Sequence, residues 1–541
     1  MKASQPLYEV PPIFYKGTQK KQYERFQALY KQLYADMKFM SASSLLQRAA
    51  RFFAQSIALI YKDTKITFAQ LYHDSLQITK QLLALGVKPQ DKVCLLFENS
   101  AAYYECYFGI WQTGAAVVPL NTFLIERELV HIIEDCKPSV LIISQEFSKK
   151  FDPALFKDTK VMVIAEREAQ ENQLNAIEAY DIPYTDPDQM IALLYTSGTT
   201  GFPKGVMLSS RNILTNVIQI ISTVEVSHTD RLLAVLPLFH SFAQNISIWT
   251  TFFLGASTII VPKIERHWIV DGFKHKPTVV IGVPVLYGIL ALLKHFDMAD
   301  IRYFVSGGDA LPDKIRSIFE LVYQRKLCNG YGLTESSPFI AADLDDELKP
   351  TNTIGRPAFG IECSLRDEQG NTVEKNQVGI LWVKGDNIML GYYNAAEATQ
   401  EVLKDGWLNT GDFATFDNQG RLLIVGRFKD LIIHKGFNIY PQEVENILMS
   451  YPPMMKAAVI GIPDEQTGEV PVAYVVVKDV PADIEKQLNQ ICISALAAYK
   501  VPRHFIVLED LPMTALGKVD KKKLKQEFKK HMTSAAKAKV G

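Results

Sequence analysis

The chain reads as an α/β protein, and three observations predict it. From about residue 55 to about 305, short apolar runs alternate with longer amphipathic segments, the pattern of parallel strands covered by helices. From about 350 to 426 the strands shorten and turn signals crowd in, as in Asp367-Glu368-Gln369-Gly370, Asp405-Gly406 and Asp417-Asn418-Gln419-Gly420, which predicts a small antiparallel β unit. After Gly426-Arg427 the remainder reads as a compact α+β unit, with strands near 457–462 and 472–478 and a helix near 483–497. At 541 residues the chain exceeds one core and implies about three or four globular units.

The elements follow in order. Residues 19–39 place Tyr23, Phe26, Leu29, Tyr30, Leu33 and Tyr34 at helical spacing, so an amphipathic helix is expected. Packing on the main body is its plain role; its basic and aromatic residues leave a membrane or partner surface as the alternative. Strands are expected at Val93–Phe97, Ala115–Leu120 and Val140–Ile143, then at Ile191–Tyr195 and Leu232–Leu236. A further set runs through Thr258–Val261, Val279–Val283 and Tyr303–Ser306. Each run is short and apolar, as a strand buried in a helix-covered parallel sheet requires.

Composition excludes several classes. Lys and Arg total 58 against 59 acidic residues, so no global field marks a nucleic-acid binder. Six cysteines, Cys94, Cys106, Cys136, Cys328, Cys363 and Cys492, are scattered without a CxxC, which argues against structural zinc and suits a reducing cytoplasm. No apolar h-region opens the chain, and no run reaches the roughly 18 apolar residues of a membrane span. The lysine-rich end, Lys518 through Lys539, reads as a solvated tail, with an anionic surface as its alternative partner.

The densest chemical signal is Tyr195-Thr196-Ser197-Gly198-Thr199-Thr200-Gly201-Phe202-Pro203-Lys204-Gly205. Its glycines allow a tight turn that brings backbone N–H groups to an anion. Four hydroxyls and the Lys204 ammonium can donate to phosphate oxygens. It is not a Walker A loop, since Lys204 is followed by Gly205-Val206 instead of Ser/Thr and a helix.

Other motifs are weaker one at a time. Ser306-Gly307-Gly308-Asp309-Ala310-Leu311 permits close approach of a flat ring to backbone, although a plain strand-to-helix turn explains it equally. Asn329-Gly330-Tyr331-Gly332-Leu333-Thr334-Glu335 joins an aromatic that can stack with a hydroxyl and a single carboxylate that suit Mg²⁺. Asp412 follows a tight turn and can accept from both hydroxyls of a ribose, with Arg427 fifteen residues on. His240, in Pro237-Leu238-Phe239-His240-Ser241-Phe242, reads by itself as a satisfied core histidine, with a functional role as the alternative.

Together, in this order and spacing, these motifs resemble the acyl-adenylate-forming superfamily of acyl-CoA synthetases, nonribosomal-peptide adenylation domains and firefly-type luciferases. The similarity spans about residues 45 to 525. It implies a large N-terminal domain of two helix-covered, mainly parallel sheets plus a small β-barrel-like subdomain, and a small mobile α+β C-terminal domain. The expected divisions are an N-terminal extension at 1–44, an adenylation domain at 45–426, a hinge at 427–430, a C-terminal domain at 431–526 and a basic tail at 527–541. The implied reaction joins a carboxylate to the α-phosphate of MgATP, releasing pyrophosphate, and then passes the acyl group to a thiol, usually that of CoA. Charge builds on the α-phosphoryl oxygens, so such a site needs positioned cations more than an acid or base.

The resemblance also implies roles. Thr196, Ser197, Gly198, Thr199, Thr200 and Lys204 would cradle the β- and γ-phosphates. Thr196 and Glu335 would hold Mg²⁺, and Thr334 would meet the α-phosphate. Gly308, Asp309 and Ala310, with Asn329, Gly330, Tyr331 and Gly332, would frame adenine, and Asp412 and Arg427 the ribose. Asn438 is also expected at the nucleotide. Lys518 would bridge substrate carboxylate and α-phosphate in the first step, and Lys429 would be the hinge. Lys435 and Gly436 would line the CoA tunnel, which His240 would join to an acyl pocket of Phe242, Ile246, Gly307, Gly332 and Pro338.

That lining carries no charge, and Leu232–Leu236 lacks the acid that would pair with an amino-acid ammonium. A medium- or long-chain fatty acid is therefore expected, with an aryl acid second. Gln244 stands where some long-chain relatives carry a gating Trp, which leaves the gate and chain length open. Ile433, where plant-type aryl ligases and luciferases often have Lys, argues mildly against those branches. A separate acyl carrier protein remains the alternative acceptor to CoA. Expected partners are thus small molecules, with no nucleic acid and an open oligomeric state. A non-catalytic acyl or nucleotide binder is the alternative of another class; Lys204, Glu335 and Lys518 are all retained, which argues against it.

Overall fold

The computed structural model describes residues 18–37, 40–156, 159–165, 177–196, 203–293, 298–344, 353–374, 376–435, 437–464, 466–513 and 519–528. Valine- and isoleucine-rich runs form the first sheet. Among the described residues it has seven strands, in the order Gly391–Tyr392, Lys204–Ser209, Met190–Thr196, Ala116–Pro119, Lys92–Leu96, Val140–Ser144 and Lys160–Ile164. Its central strands are parallel. Val140–Ser144 is buried along its whole length, because helices cover both faces. The edge turns antiparallel where Met190–Thr196 doubles back into Lys204–Ser209.

The second sheet begins parallel, with Ile57–Tyr61, Ser257–Ile260, Arg231–Ala234, Val279–Gly282, Tyr303–Ser306 and Leu327–Gly332 side by side. Leu327–Gly332 then pairs antiparallel with Phe339–Ala342. Pairing continues through Thr353–Pro357, Leu422–Arg427, Trp407–Phe416, Gly379–Lys384 and Glu362–Arg366. The expected barrel-like unit is thus an antiparallel continuation of this sheet. Its turns fall where the sequence signals them, with Asp405 at φ 52° and Gly406 at φ 77°.

Thr18–Met37 is a helix, as its spacing predicts. Leu29, Tyr30, Leu33 and Tyr34 pack against the main core, Tyr30 stacks on Phe359, and the Tyr34 hydroxyl donates to Asp386. Those four side chains are therefore spent on the body of the protein, and no described helix is long and apolar enough to cross a membrane. All six cysteines are buried thiols.

In the C-terminal domain Met454–Asp464 and Gly468–Val477 pair antiparallel, and His504–Val507 adds in parallel. Alternation puts Val459, Ala473 and Val475 against the helices Pro441–Met449 and Ile484–Ala495. Ala458, Val472, Tyr474 and Val476 face the other way, toward Leu511, Leu524 and Phe528.

Candidate active site

The carboxyl ends of both parallel sheets and the C-terminal domain face one continuous cavity of about 1930 Å³. Site residues gather at strand ends because loops there lie outside the hydrogen-bonded sheet while their bases are held rigid.

Two paired antiparallel strands, Met190–Thr196 and Lys204–Ser209, flank the glycine-rich stretch. Thr196 opposes Lys204 across its base, and the Thr196 hydroxyl donates to the Lys204 carbonyl at 3.5 Å. The chain continues from Lys204 as a strand, so the departure from a Walker A loop holds. Ser197, Gly198, Thr199 and Thr200 lie outside the described residues. Lys204 Nζ sits 5.4 Å from the ring centre of Tyr392, whose hydroxyl donates to Glu335 Oε1 at 2.8 Å. Burial and the Glu335 charge push the Tyr392 pKa up, so this hydroxyl stays a donor. Tyr392 arrives on Gly391–Tyr392, which pairs with Val206 and Met207, while the Met389 amide donates to the Glu335 carbonyl at 2.9 Å. One short segment far along the chain thus braces both the lysine and the carboxylate.

Tyr331 and Asp412 meet at the next strand end. The Tyr331 hydroxyl donates to Asp412 Oδ2 at 2.6 Å, and Arg427 Nε lies 3.4 Å from Asp412 Oδ1. Asp412 and Arg427 are register partners on adjacent antiparallel strands, which explains a pairing across fifteen residues. Asp412 in turn holds the Arg427 pKa up, and burial with the Asp412 charge raises that of Tyr331. Gly308, Asp309, Ala310, Asn329, Gly330 and Gly332 line the same wall. Gly308 has φ 79°, and a Cβ on Gly332 would fall 1.6 Å from the Pro338 carbonyl oxygen, so only glycine fits there. The Asn329 amide is committed to the Thr353 carbonyl at 3.2 Å.

His240 caps the short helix Ser241–Gln244, its Nδ1 accepting from the Phe242 amide at 3.2 Å, and the Ser241 hydroxyl lies 2.9 Å from that of Thr334. A π-helical turn follows at Asn245–Thr250 and keeps Ile246 on the cavity. From here an apolar arm runs along one face of the second sheet. Val279 opposes Tyr303 and Leu232, and Ile281 opposes Val305. With Phe242, Ile246, Val226 and Leu254 these residues form one apolar cluster that lines the cavity. Val280, Phe304 and Leu233 point to the opposite face and a separate core, as period two requires. Gly307 and Pro338 complete the mouth of the arm. From Gly307 to Tyr303 the strand spans roughly 13 Å.

Some expected residues stand elsewhere. Lys518 and Gly436 lie outside the described residues, although Met513, Val519, Asp520 and Lys521 beside Lys518 line the cavity. Lys429 lines it too. Asn438 is exposed beside Tyr440 and, like Lys435, lies outside the cavity lining, because Phe437–Ile439 pairs on the outer side of the C-terminal sheet. Gln244 is no gate. It is fully buried, accepting from the Tyr107 hydroxyl at 2.9 Å and donating to the Phe239 carbonyl at 3.0 Å.

Tyr392, Ser241 and Lys521 were not legible as site residues. Lys521 Nζ lies 2.8 Å from Glu445 and 3.8 Å from Asp430; burial opposes its charge, but these carboxylates outweigh burial and its pKa is raised. For Tyr392 the available signal was an aromatic following a glycine after the apolar run Ile388–Leu390.

The comparisons agree with this geometry. The AMP-binding enzyme family matches residues 46–393, and the AMP-binding enzyme C-terminal domain matches 443–518. A long-chain-fatty-acid–CoA ligase of Bacillus subtilis (strain 168) is 32% identical over 527 residues, covering 90% of this chain and 94% of that protein. A feruloyl-CoA synthase of an Amycolatopsis species is 34% identical over 487 residues, covering 89% and 98%. The solved structure of the anthranilate CoA ligase AuaEII with anthranoyl-AMP matches with a TM-score of 0.83 at 27% identity, over 91% of this chain and 97% of that one. Similarity thus runs through both domains in relatives whose acids differ. The chain belongs to the AMP-binding enzyme family, within the acyl-adenylate-forming superfamily, and is an AMP-forming acid–thiol ligase.

Proposed function

We propose that this ligase activates a medium- or long-chain fatty acid with MgATP and transfers the acyl group to CoA, releasing AMP and pyrophosphate. The apolar arm carries this reading. Nothing charged lies among Phe242, Ile246, Val279, Ile281, Tyr303 and Val305, so an alkyl chain would lose no hydrogen bonds there and would gain burial worth about 0.8 kcal/mol per methylene. An ammonium or second carboxylate would lie in the arm without a partner.

In the first step a carboxylate oxygen attacks the α-phosphorus as the bond to pyrophosphate breaks. Lys204 and the hairpin amides would hold the leaving phosphates, and Thr334 would donate to the α-phosphate. Asp412 and Arg427 would hold the ribose beside Tyr331, with adenine against Gly308 to Ala310. Lys518 would sit between carboxylate and α-phosphate. Thr196 and Glu335 would hold Mg²⁺, which when bound offsets charge on the phosphate oxygens. In the second step the thiol sulfur attacks the acyl carbonyl and AMP departs. A turn of the C-terminal domain about Lys429 would withdraw Lys518 and bring Lys435 and Gly436 to a thiol entering near His240.

An aryl acid is the second reading, favoured by the feruloyl-CoA synthase relative. Pyrophosphate release with MgATP across fatty acids of graded length, aryl acids and amino acids, with and without CoA, decides between them. Fatty-acid-driven release with acyl-CoA forming is expected. Release driven only by aryl acids would overturn the alkyl assignment, and release without acyl-CoA would transfer the acceptor role to a carrier protein.

A further inference from the structure

Lys314 lies in the first turn of the helix Asp313–Tyr323, where the helix dipole disfavours a cation. Burial also lowers its pKa. Neither condition keeps an ammonium in place. What holds it is the other domain: Lys314 Nζ donates to the Pro452 carbonyl at 2.8 Å and to the Met454 carbonyl at 2.7 Å. Both acceptors are backbone carbonyls of the segment between the helix Pro441–Met449 and the strand that Met454 opens.

The contact belongs to one arrangement of the domains. Lys314 is part of the N-terminal domain, and Pro452 and Met454 open the C-terminal strand Met454–Asp464. The proposed turn of the C-terminal domain about Lys429 would carry these carbonyls off the lysine and break both bonds. In the present arrangement Met513 and Val519, which bridge the base of the loop bearing Lys518, line the cavity. Lys521 from the same segment lies near Asp309 of the N-terminal domain and is tied to Asp430 and Glu445. The acceptors of Lys314 are backbone carbonyls, so the contact requires a long cationic donor at position 314 and no particular side chain opposite.

We infer that Lys314 is a positioning residue, a latch that holds the C-terminal domain in the arrangement serving adenylation and lets go for thioester formation. This rests on the two-arrangement reading of the reaction given above. Lys314 touches no reacting atom; it acts through the stance of the C-terminal domain.

Two measurements on the full chain test it. In the first, nitroxide labels at Leu321→Cys and Ile493→Cys report the interdomain distance by pulsed electron resonance. Both positions are exposed while the six native cysteines are buried, so labelling is selective. Lys314→Ala should shift population away from the distance of the parent protein, and Lys314→Arg should restore it. An unchanged distribution in Lys314→Ala overturns the latch whatever the enzyme's substrate proves to be. In the second, Lys314→Ala should slow pyrophosphate release about tenfold, the usual scale for a charged hydrogen-bond donor. Thioester formation from a supplied acyl-adenylate and CoA should be unchanged, and Lys314→Arg should recover the first step. Equal loss in both half-reactions, as a folding defect would give, or no loss in the first, overturns it. If no acid drives pyrophosphate release, the functional reading fails, and the distance measurement still decides the latch.

Discussion

The Tyr392 hydroxyl donates to Glu335 Oε1 at 2.8 Å, while the same ring lies 5.4 Å from the Lys204 ammonium. One neutral side chain therefore sets the orientation of the carboxylate proposed for Mg²⁺ and of the lysine proposed for phosphate. Removing the hydroxyl alone leaves the ring in place under Lys204. Tyr392→Phe is expected to lower adenylation efficiency by about tenfold or more and to raise the Mg²⁺ concentration needed for half-maximal rate, as loss of a group that orients a metal ligand does. Pyrophosphate release titrated with MgCl₂ at fixed ATP checks this; an unshifted Mg²⁺ profile would detach Glu335 from the metal.

Gly307 stands at the mouth of the apolar arm proposed for the acyl chain. A Cβ there would stand 3.0 Å from Phe242 Cζ and 3.1 Å from Cε1, so a side chain crowds that ring, which itself lines the arm. Gly307→Val should cut kcat/KM for long-chain acids by about 10²-fold and spare short ones, given about 1–3 kcal/mol per misfitted methylene. The acid panel run on the variant reads this directly. A uniform loss across chain lengths would place the alkyl chain elsewhere.

Lys518 is assigned to the first half-reaction only. Lys518→Ala should reduce pyrophosphate release about 10²–10³-fold, the scale for removing one preorganised group at developing charge. The variant should still convert a supplied acyl-adenylate and CoA into thioester at the parent rate. Equal loss in both steps would sink the assignment.

Alkaline stability follows from the buried tyrosines. Burial raises the hydroxyl pKa values of Tyr103, Tyr104, Tyr107, Tyr287 and Tyr331 above their ordinary 10.0. A group raised in the folded state contributes stability that is fully present below its unfolded pKa and lost as the pH climbs through its folded one. Denaturation midpoints should therefore hold to about pH 9 and fall above about pH 10. Tyrosinate absorbance from the buried set should rise in one step with unfolding. Gradual ionisation of every tyrosine near pH 10 in a folded protein would contradict their burial.

Local chemistry decided much of this protein before any folding was considered. Strands such as Val140–Ser144 and Tyr303–Ser306 were legible because a strand buried in a parallel sheet needs a short, β-branched apolar run. The helix Thr18–Met37 was legible from its 3.6-residue spacing. Thr196, Lys204, Tyr331, Glu335 and Asp412 were legible because glycine-flanked hydroxyls, ammonium and carboxylates are the groups a nucleotide calls for. Their contacts were not legible, because pairing in three dimensions is independent of separation along the chain. Tyr392 reaches Glu335 across 57 residues only because Gly391–Tyr392 joins the edge of the hairpin strand. Gln244 turns into the core because Tyr107 and the Phe239 carbonyl satisfy its buried amide there, which no local pattern around position 244 records. Lys314, an ordinary surface lysine in the sequence, became a link between domains only when folding set the backbone carbonyls of Pro452 and Met454 beside it.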